Sequence, residues 1–245
     1  MPKRLLMPLP DRDFDVTEVA VPWKLARRAG HEVVIATEAG QRPAADPLLL
    51  TGVVFGQLGA APEAKAFYAE LEASPEFQRP IAWQDIVPGD YDALLLPGGH
   101  APGMRQYLGS EVLRAKVGAF WALGRPVGAI CHGVLVLARA LGPDGRSVLA
   151  GKKTTCLPKY MERVAYFLTA WRRGRYYRTY PAYVEEEVRA ALASPRDFQR
   201  GPTELTKKGT DTDDGPAFVV EDGNYVSARW PGDAYRFAKG VLARL

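Results

Sequence analysis

The chain is poor in the residues that staple or ligate: 245 residues hold two cysteines, Cys131 and Cys156, and three histidines, His31, His100 and His132. Two cysteines cannot form a disulfide framework and suit a reducing compartment, so a cytoplasmic location is expected. The scattered histidines and cysteines match no zinc spacing, and neither a metal nor another cofactor is expected. No apolar run approaches the roughly 18 residues of a membrane span. The nearest, around Val127 to Ala140, is broken by Cys131, His132 and Arg139. The start does not read as a secretory signal, because its short apolar stretch contains Pro8 and Pro10 and leads into Asp11, Asp13 and Asp15. Repeats and low-complexity tracts are absent. The charge bias is mild, since 32 basic residues face 28 acidic ones along the whole chain, a net of +4. That is too even for a nucleic-acid footprint.

What remains is ordinary globular material, 47% hydrophobic and 24% charged, enough for a substantial core. Short apolar runs at Arg4–Leu9, Glu32–Thr37, Ala93–Leu96 and Val127–Ile130, each bounded by Gly, Pro or a polar residue, predict buried parallel strands. Helical patterns lie between them at Thr17–Ala29, Pro62–Ala73 and Glu111–Leu123. Strands alternating with helices predict an α/β fold, a doubly wound, mostly parallel sheet with helices on both faces. Beyond residue 150 the pattern predicts a short strand at Lys152–Cys156, helices over Pro158–Arg173 and Pro181–Ala193, and a loop over Ser194–Gly215. A hairpin around Asp222-Gly223 and a closing helix from Pro231 follow. With no convincing linker, residues 1–245 are expected to form one domain carrying a helical and loop insertion at about 157–215.

Chemistry concentrates at Gly128-Ala129-Ile130-Cys131-His132-Gly133-Val134, an apolar strand running into small-x-nucleophile-x-Gly and then an apolar helix. This is the setting of a nucleophile elbow, where small residues let a strained turn lift the nucleophile above the sheet. A thiol at a helix N-terminus is expected to have a lowered pKa. Leu94-Leu95-Leu96-Pro97-Gly98-Gly99-His100 ends the preceding strand, so Gly98, Gly99 and His100 should face the same crevice. The glycines allow close backbone approach, Gly99 N–H could help hold an oxyanion, and His100 either holds substrate or caps the loop. His132 is the near-neutral titratable group that the backbone sets beside Cys131. His31 precedes a strand and so belongs at the opposite edge of the sheet.

The chain resembles the ThiJ/PfpI superfamily, the class I glutamine-amidotransferase-like proteins, whose fold is flavodoxin-like. The resemblance is carried by Asp15-Val16-Thr17-Glu18 before Pro22-Trp23, Ala29-Gly30-His31-Glu32-Val33, Ala36-Thr37-Glu38-Ala39-Gly40, Pro97-Gly98-Gly99-His100 and Ala129-Ile130-Cys131-His132-Gly133. Asp222-Gly223-Asn224 and Arg229-Trp230-Pro231 resemble the family's ending. The adjacent Cys-His pair is most similar to the heat-shock chaperone and glyoxalase III branch. That resemblance implies a homodimer, an acid at Glu18 meeting the nucleophile, and a third residue at Glu162, where many members of the branch have Asp. Glutamine amidotransferases take their histidine from far downstream of the cysteine, and none lies downstream of His132.

The implied function is a cysteine-dependent, cofactor-independent enzyme acting on small reactive carbonyls, converting methylglyoxal and water to lactate, with His132 or Glu18 as the base. A cysteine amidase or peptidase is the alternative enzyme, acting on a small amide. A holding chaperone or an oxidant sensor is the alternative outside catalysis. The aromatic and basic stretch from Tyr166 to Tyr183 could meet nucleic acid, although packing over the crevice or across a dimer contact is the expected role.

Overall fold

A computed structural model describes residues 1–245. Its centre is a seven-stranded sheet of β1 (Arg4–Pro8), β2 (Glu32–Thr37), β3 (Ile81–Ala82), β4 (Ala93–Leu96), β5 (Val127–Ile130), β6 (Val219–Asp222) and β7 (Tyr225–Ala228). The order across the sheet is β3-β2-β1-β4-β5-β7-β6. Every pairing is parallel except the β6–β7 hairpin. Full burial of β4 and β5 explains why their sequences are uninterrupted apolar runs: both faces are covered.

Helices α1 (Val16–Arg28), α2 (Pro62–Glu72), α3 (Glu111–Trp121), α4 (Val134–Arg139), α5 (Lys159–Arg173), α6 (Val184–Ala191) and α7 (Ala234–Leu242) clothe the sheet. On one side α1 packs against α2 and α7; on the other α4 packs against α3 and α6. The fold is therefore the expected flavodoxin-like α/β arrangement. Gly128 admits α7, since a Cβ there would stand 2.5 Å from Val241 and 2.8 Å from Phe237. One continuous apolar core takes in both sides and reaches Leu157, Met161, Val184 and Val188, so the region after residue 157 is packed onto the sheet. No helix is long and apolar enough to cross a membrane.

Three details differ from the sequence reading. Lys152–Cys156 is not a strand. The flanking β7 already pairs on both sides with β5 and β6, and this segment instead meets the loop at Asp197–Gln199, the Asp222 carboxylate and the hydroxyls of Tyr225 and Ser227. The expected helix over Pro181–Ala193 is shorter, Val184–Ala191. Two-residue β3 and the small ladder of Arg12–Phe14 with Ala44–Ala45 carry too few residues for a periodic signal.

Candidate active site

Three strand ends converge on the site. After β5 the chain turns at Cys131, which has φ +58°, a left-handed conformation unusual for a residue with a side chain. The turn closes because Gly133 has no side chain: a Cβ would sit 2.1 Å from the Leu96 carbonyl oxygen at the end of β4. The elbow read from the sequence is thus present, with Cys131 buried at its apex.

Glu18 reaches the thiol from the first turn of α1. Asp15 caps that helix, accepting from Thr17 N–H at 2.7 Å and Glu18 N–H at 3.0 Å, which fixes the direction in which Glu18 projects. The Glu18 carboxyl is 1% exposed, accepts from Gly98 N–H through Oε2 at 2.9 Å, and lies against the Cys131 thiol. Burial and the neighbouring Asp15 push it well above the usual carboxylate range. Asp15 itself is raised to about 6, chiefly by burial. Gly98 is consequently a support for Glu18, with its N–H already committed to that carboxyl. A Cβ there would stand 2.7 Å from His132 N, 2.8 Å from Glu18 Oε2 and 2.9 Å from Cys131 Cβ. Gly99 lines the open side of the site.

The expected lowering of the Cys131 pKa is not found. Burial pushes the thiol well up, the facing Glu18 and Asp15 add to this, and the His132 N–H opposes them without prevailing. The helix that follows has six residues and meets a desolvated sulfur, so its dipole loses to burial. His132 is fully buried, and burial together with the charge of His100 lowers it to about 3. At neutral pH the site therefore holds a protonated acid, a thiol and a neutral imidazole.

The tautomer of that imidazole follows from its neighbours. His132 Nδ1 is 3.5 Å from Cys131 Sγ, and Nε2 is 3.4 Å from Thr179 Oγ1. Thr179 has one hydroxyl proton and donates it to the His100 carbonyl at 2.9 Å. It must then accept from His132 Nε2–H, which leaves the Nδ1 lone pair facing the thiol.

Glu162, placed third in the site by family resemblance, does not bond His132. Its Oε1 accepts from Arg178 at 2.9 Å and its Oε2 from Val184 N–H at 3.0 Å, while His100 Nε2 is 3.9 Å away. Burial works to raise it, but His100, His132 and the Val184 N–H outweigh burial and keep it below its ordinary value. The position beside Nε2 belongs to Thr179 instead. One donor grouping could hold a metal: His100, His132 and Glu162, whose ligating atoms lie within 4.8 Å of one another. A tetrahedral zinc with nitrogen bonds of about 2.0 Å needs donors roughly 3.3 Å apart, and Arg178 already neutralises Glu162.

The segment after α5 crosses the crevice, as one reading of the aromatic and basic stretch expected. Tyr177 and Tyr176 donate to Asp46 at 2.7 and 3.1 Å, and Arg105 donates to the Thr179 carbonyl at 2.7 Å. His100 lies between His132 and Tyr177, its ring tilted against both, with ring centroids 4.9 and 5.7 Å away. Thr179, Arg178 and Trp230 carry no spacing that would have singled them out as site residues. His31 lies at the far end of the sheet, where its Nδ1 accepts from Lys3 N–H at 3.3 Å. Above Cys131 opens a cleft of about 490 Å³, floored by Cys131, Glu18 and His100.

A family profile described as ThiJ/PfpI family-like matches residues 9–202. Among curated proteins, a deglycase of Pyrococcus abyssi is 26% identical over 232 residues, which span 95% of this chain and 93% of that protein. The protein/nucleic acid deglycase 2 of Escherichia coli is 32% identical over 159 residues, 64% of this chain and 72% of its own. Among solved structures, glyoxalase III of Candida albicans has the same fold, with a TM-score of 0.71 at 21% identity over 99% of this chain and 97% of that one.

Proposed function

This chain belongs to the ThiJ/PfpI-like family, and from that premise we propose that it is a cysteine-dependent enzyme that converts 2-oxoaldehydes and water to 2-hydroxy acids, methylglyoxal to lactate being the simplest case. The observation that carries this reading is the grouping around Cys131: a thiol that meets an imidazole lone pair on one side and a protonated carboxyl on the other.

The chemistry runs without a standing thiolate. His132 Nδ1 takes the thiol proton as Sγ bonds to the aldehyde carbon, and Glu18 gives its proton to the carbonyl oxygen, leaving a hemithioacetal and a carboxylate. Gly99 N–H stabilises the oxygen while it carries negative charge. Burial makes the Glu18 carboxylate a strong base, and it removes the proton from the carbon bearing sulfur. That electron pair becomes a C=C bond while the neighbouring carbonyl oxygen takes the proton held on His132 Nδ1. Glu18 returns its proton to the neighbouring carbon while the hydroxyl at the sulfur-bearing carbon loses its proton to His132 Nδ1, which gives the thioester of a 2-hydroxy acid. Water attacks the thioester and gives a proton to the Glu18 carboxylate, Sγ leaves, and the sulfur recovers its proton from His132, which restores the starting state.

Relatives named deglycases support a carbonyl electrophile over an amide. An oxidant sensor relies on a thiolate present at neutral pH, which the raised thiol pKa disfavours. In the test, purified protein is given methylglyoxal and higher 2-oxoaldehydes without added thiol, and 2-hydroxy acids are followed by proton NMR. Product from the wild type and none from Cys131→Ala is expected. Equal turnover by both, or none by either, overturns the reading.

A further inference from the structure

The cleft above Cys131 is larger and more apolar than methylglyoxal requires. That molecule offers a single methyl group beyond its two carbonyls, whereas a volume near 490 Å³ lies in the range, about 300–1,000 Å³, that holds drug-sized ligands. Its wall is built by one stripe of α5: Met161, Val164, Ala165 and Leu168 all line it. These positions follow the i, i+3, i+4, i+7 spacing of a single helix face. The stripe runs outward from the floor, Met161 being 5% exposed and Leu168 53%. Leu49 and Leu205 stand among the other lining groups. Apolar side chains usually face a core; here they face an opening, and only an apolar group entering the cleft removes them from water.

Polar atoms sit where a reacting head group would be. Glu18 Oε1, His100 Nε2 and Trp230 Nε1 are buried without a nitrogen or oxygen hydrogen-bond partner, and all three residues line the cleft. Trp230 is held there by its neighbours in the chain, because Arg229, fully buried, pairs with Asp233 through Nε at 2.9 Å and Nη2 at 3.1 Å. The indole N–H and the acidic Glu18 can donate to a carbonyl oxygen, and His100 can donate or accept. Unmade hydrogen bonds of buried groups carry a free-energy cost that a suitable ligand removes.

We propose that this site selects 2-oxoaldehydes with an extended apolar substituent, lying along the α5 stripe, over methylglyoxal; the proposal rests on the carbonyl reading above and adds the substrate class. From Met161 to Leu168 the helix rises about 10 Å, the length of an extended alkyl chain of roughly eight or nine carbons. Trp230 and His100 orient the second carbonyl, the first being the one Cys131 attacks.

Two chain-length series test this. In the first, kcat/KM is measured for straight-chain 2-oxoaldehydes from methylglyoxal to 2-oxoheptanal. In the second, the rate at which N-alkyl iodoacetamides of increasing length alkylate Cys131 is measured by peptide mass and divided by the rate with free cysteine. Each added methylene is expected to raise both by about fourfold, so that 2-oxoheptanal exceeds methylglyoxal by roughly 250-fold. Leu168→Glu and Leu205→Glu, at partly exposed positions that leave the fold intact, should each lower the long-to-short ratio by about tenfold or more. Length-dependent alkylation without aldehyde turnover would sustain the apolar ligand class while overturning the carbonyl chemistry. A flat response, under twofold across both series, overturns the inference even if methylglyoxal is turned over.

Discussion

Replacing Thr179 by valine isolates the group that sets the His132 tautomer. Valine has nearly the same shape but neither donates to the His100 carbonyl, 2.9 Å away, nor accepts from His132 Nε2, 3.4 Å away. Two buried hydrogen bonds at about 1 kcal/mol each amount to roughly 2 kcal/mol of stability. At about 2–4 °C per kcal/mol for a chain of this size, Tm should fall by roughly 4–8 °C. The catalytic effect has a different origin. With Nε2–H unpaired in a dry site, the imidazole proton moves toward Nδ1, and the lone pair no longer faces the thiol. A tautomer penalty of about 1 kcal/mol reduces the competent fraction about fivefold to tenfold. The assay is therefore kcat/KM for 2-oxoaldehydes together with the Cys131 alkylation rate at pH 7, on wild type, Thr179→Val and Thr179→Ser. Both rates should fall fivefold to tenfold in the valine variant and stay within about twofold in the serine variant. A valine variant that melts lower yet reacts at the wild-type rate would refute the role of His132 as acceptor of the thiol proton.

Glu18→Gln removes the raised carboxyl. Because the folded state holds its proton more tightly than the unfolded state, Glu18 weakens folding as pH climbs above the ordinary carboxylate range. The variant should gain stability over wild type by about 1.4 kcal/mol per pH unit there, until the buried pKa is reached, and lose turnover; melting curves from pH 4 to 8 with a constant difference would contradict this. For His132 the sign is opposite. Lowered to about 3 in the folded state, it adds stability that is complete above pH 6.5 and lost as pH falls toward 3, so a folded His132→Gln variant should show a flatter melting temperature than wild type between those values. Gly98→Ala places a methyl under 3 Å from His132 N, Glu18 Oε2 and Cys131 Cβ. A displacement of the reacting groups approaching 1 Å should lower kcat/KM by about 100-fold, and a variant retaining more than half of wild-type kcat/KM would show that Glu18 and Cys131 need no such register.

The α/β class, four parallel strands, the late hairpin and the sharp turn at Cys131 were legible in the chain itself, because local patterns encode them. An apolar run that must be buried on both faces reads as a parallel strand whatever surrounds it. A small-x-Cys-x-Gly junction between strand and helix allows few backbone paths, and the positive φ at Cys131 follows from it. Glu18 and Glu162 had only resemblance to recommend them, and on that ground alone their partners could not be separated.

Tertiary structure decided the electrostatics and the neighbours. The thiol pKa rises instead of falling because desolvation depends on everything packed around sulfur, while the sequence displays only the helix that follows. Thr179, 47 residues from His132, takes the place expected for Glu162 because Arg178 and the Val184 N–H claim that carboxylate. Lys152–Cys156 has strand-like residues but pairs with no strand of the sheet, since pairing is a property of two segments. The α5 stripe, apolar in any reading, became the wall of a cleft only once the chain had placed Cys131 beneath it. Periodicity states which face of an element is apolar; what that face meets depends on contacts distant in sequence.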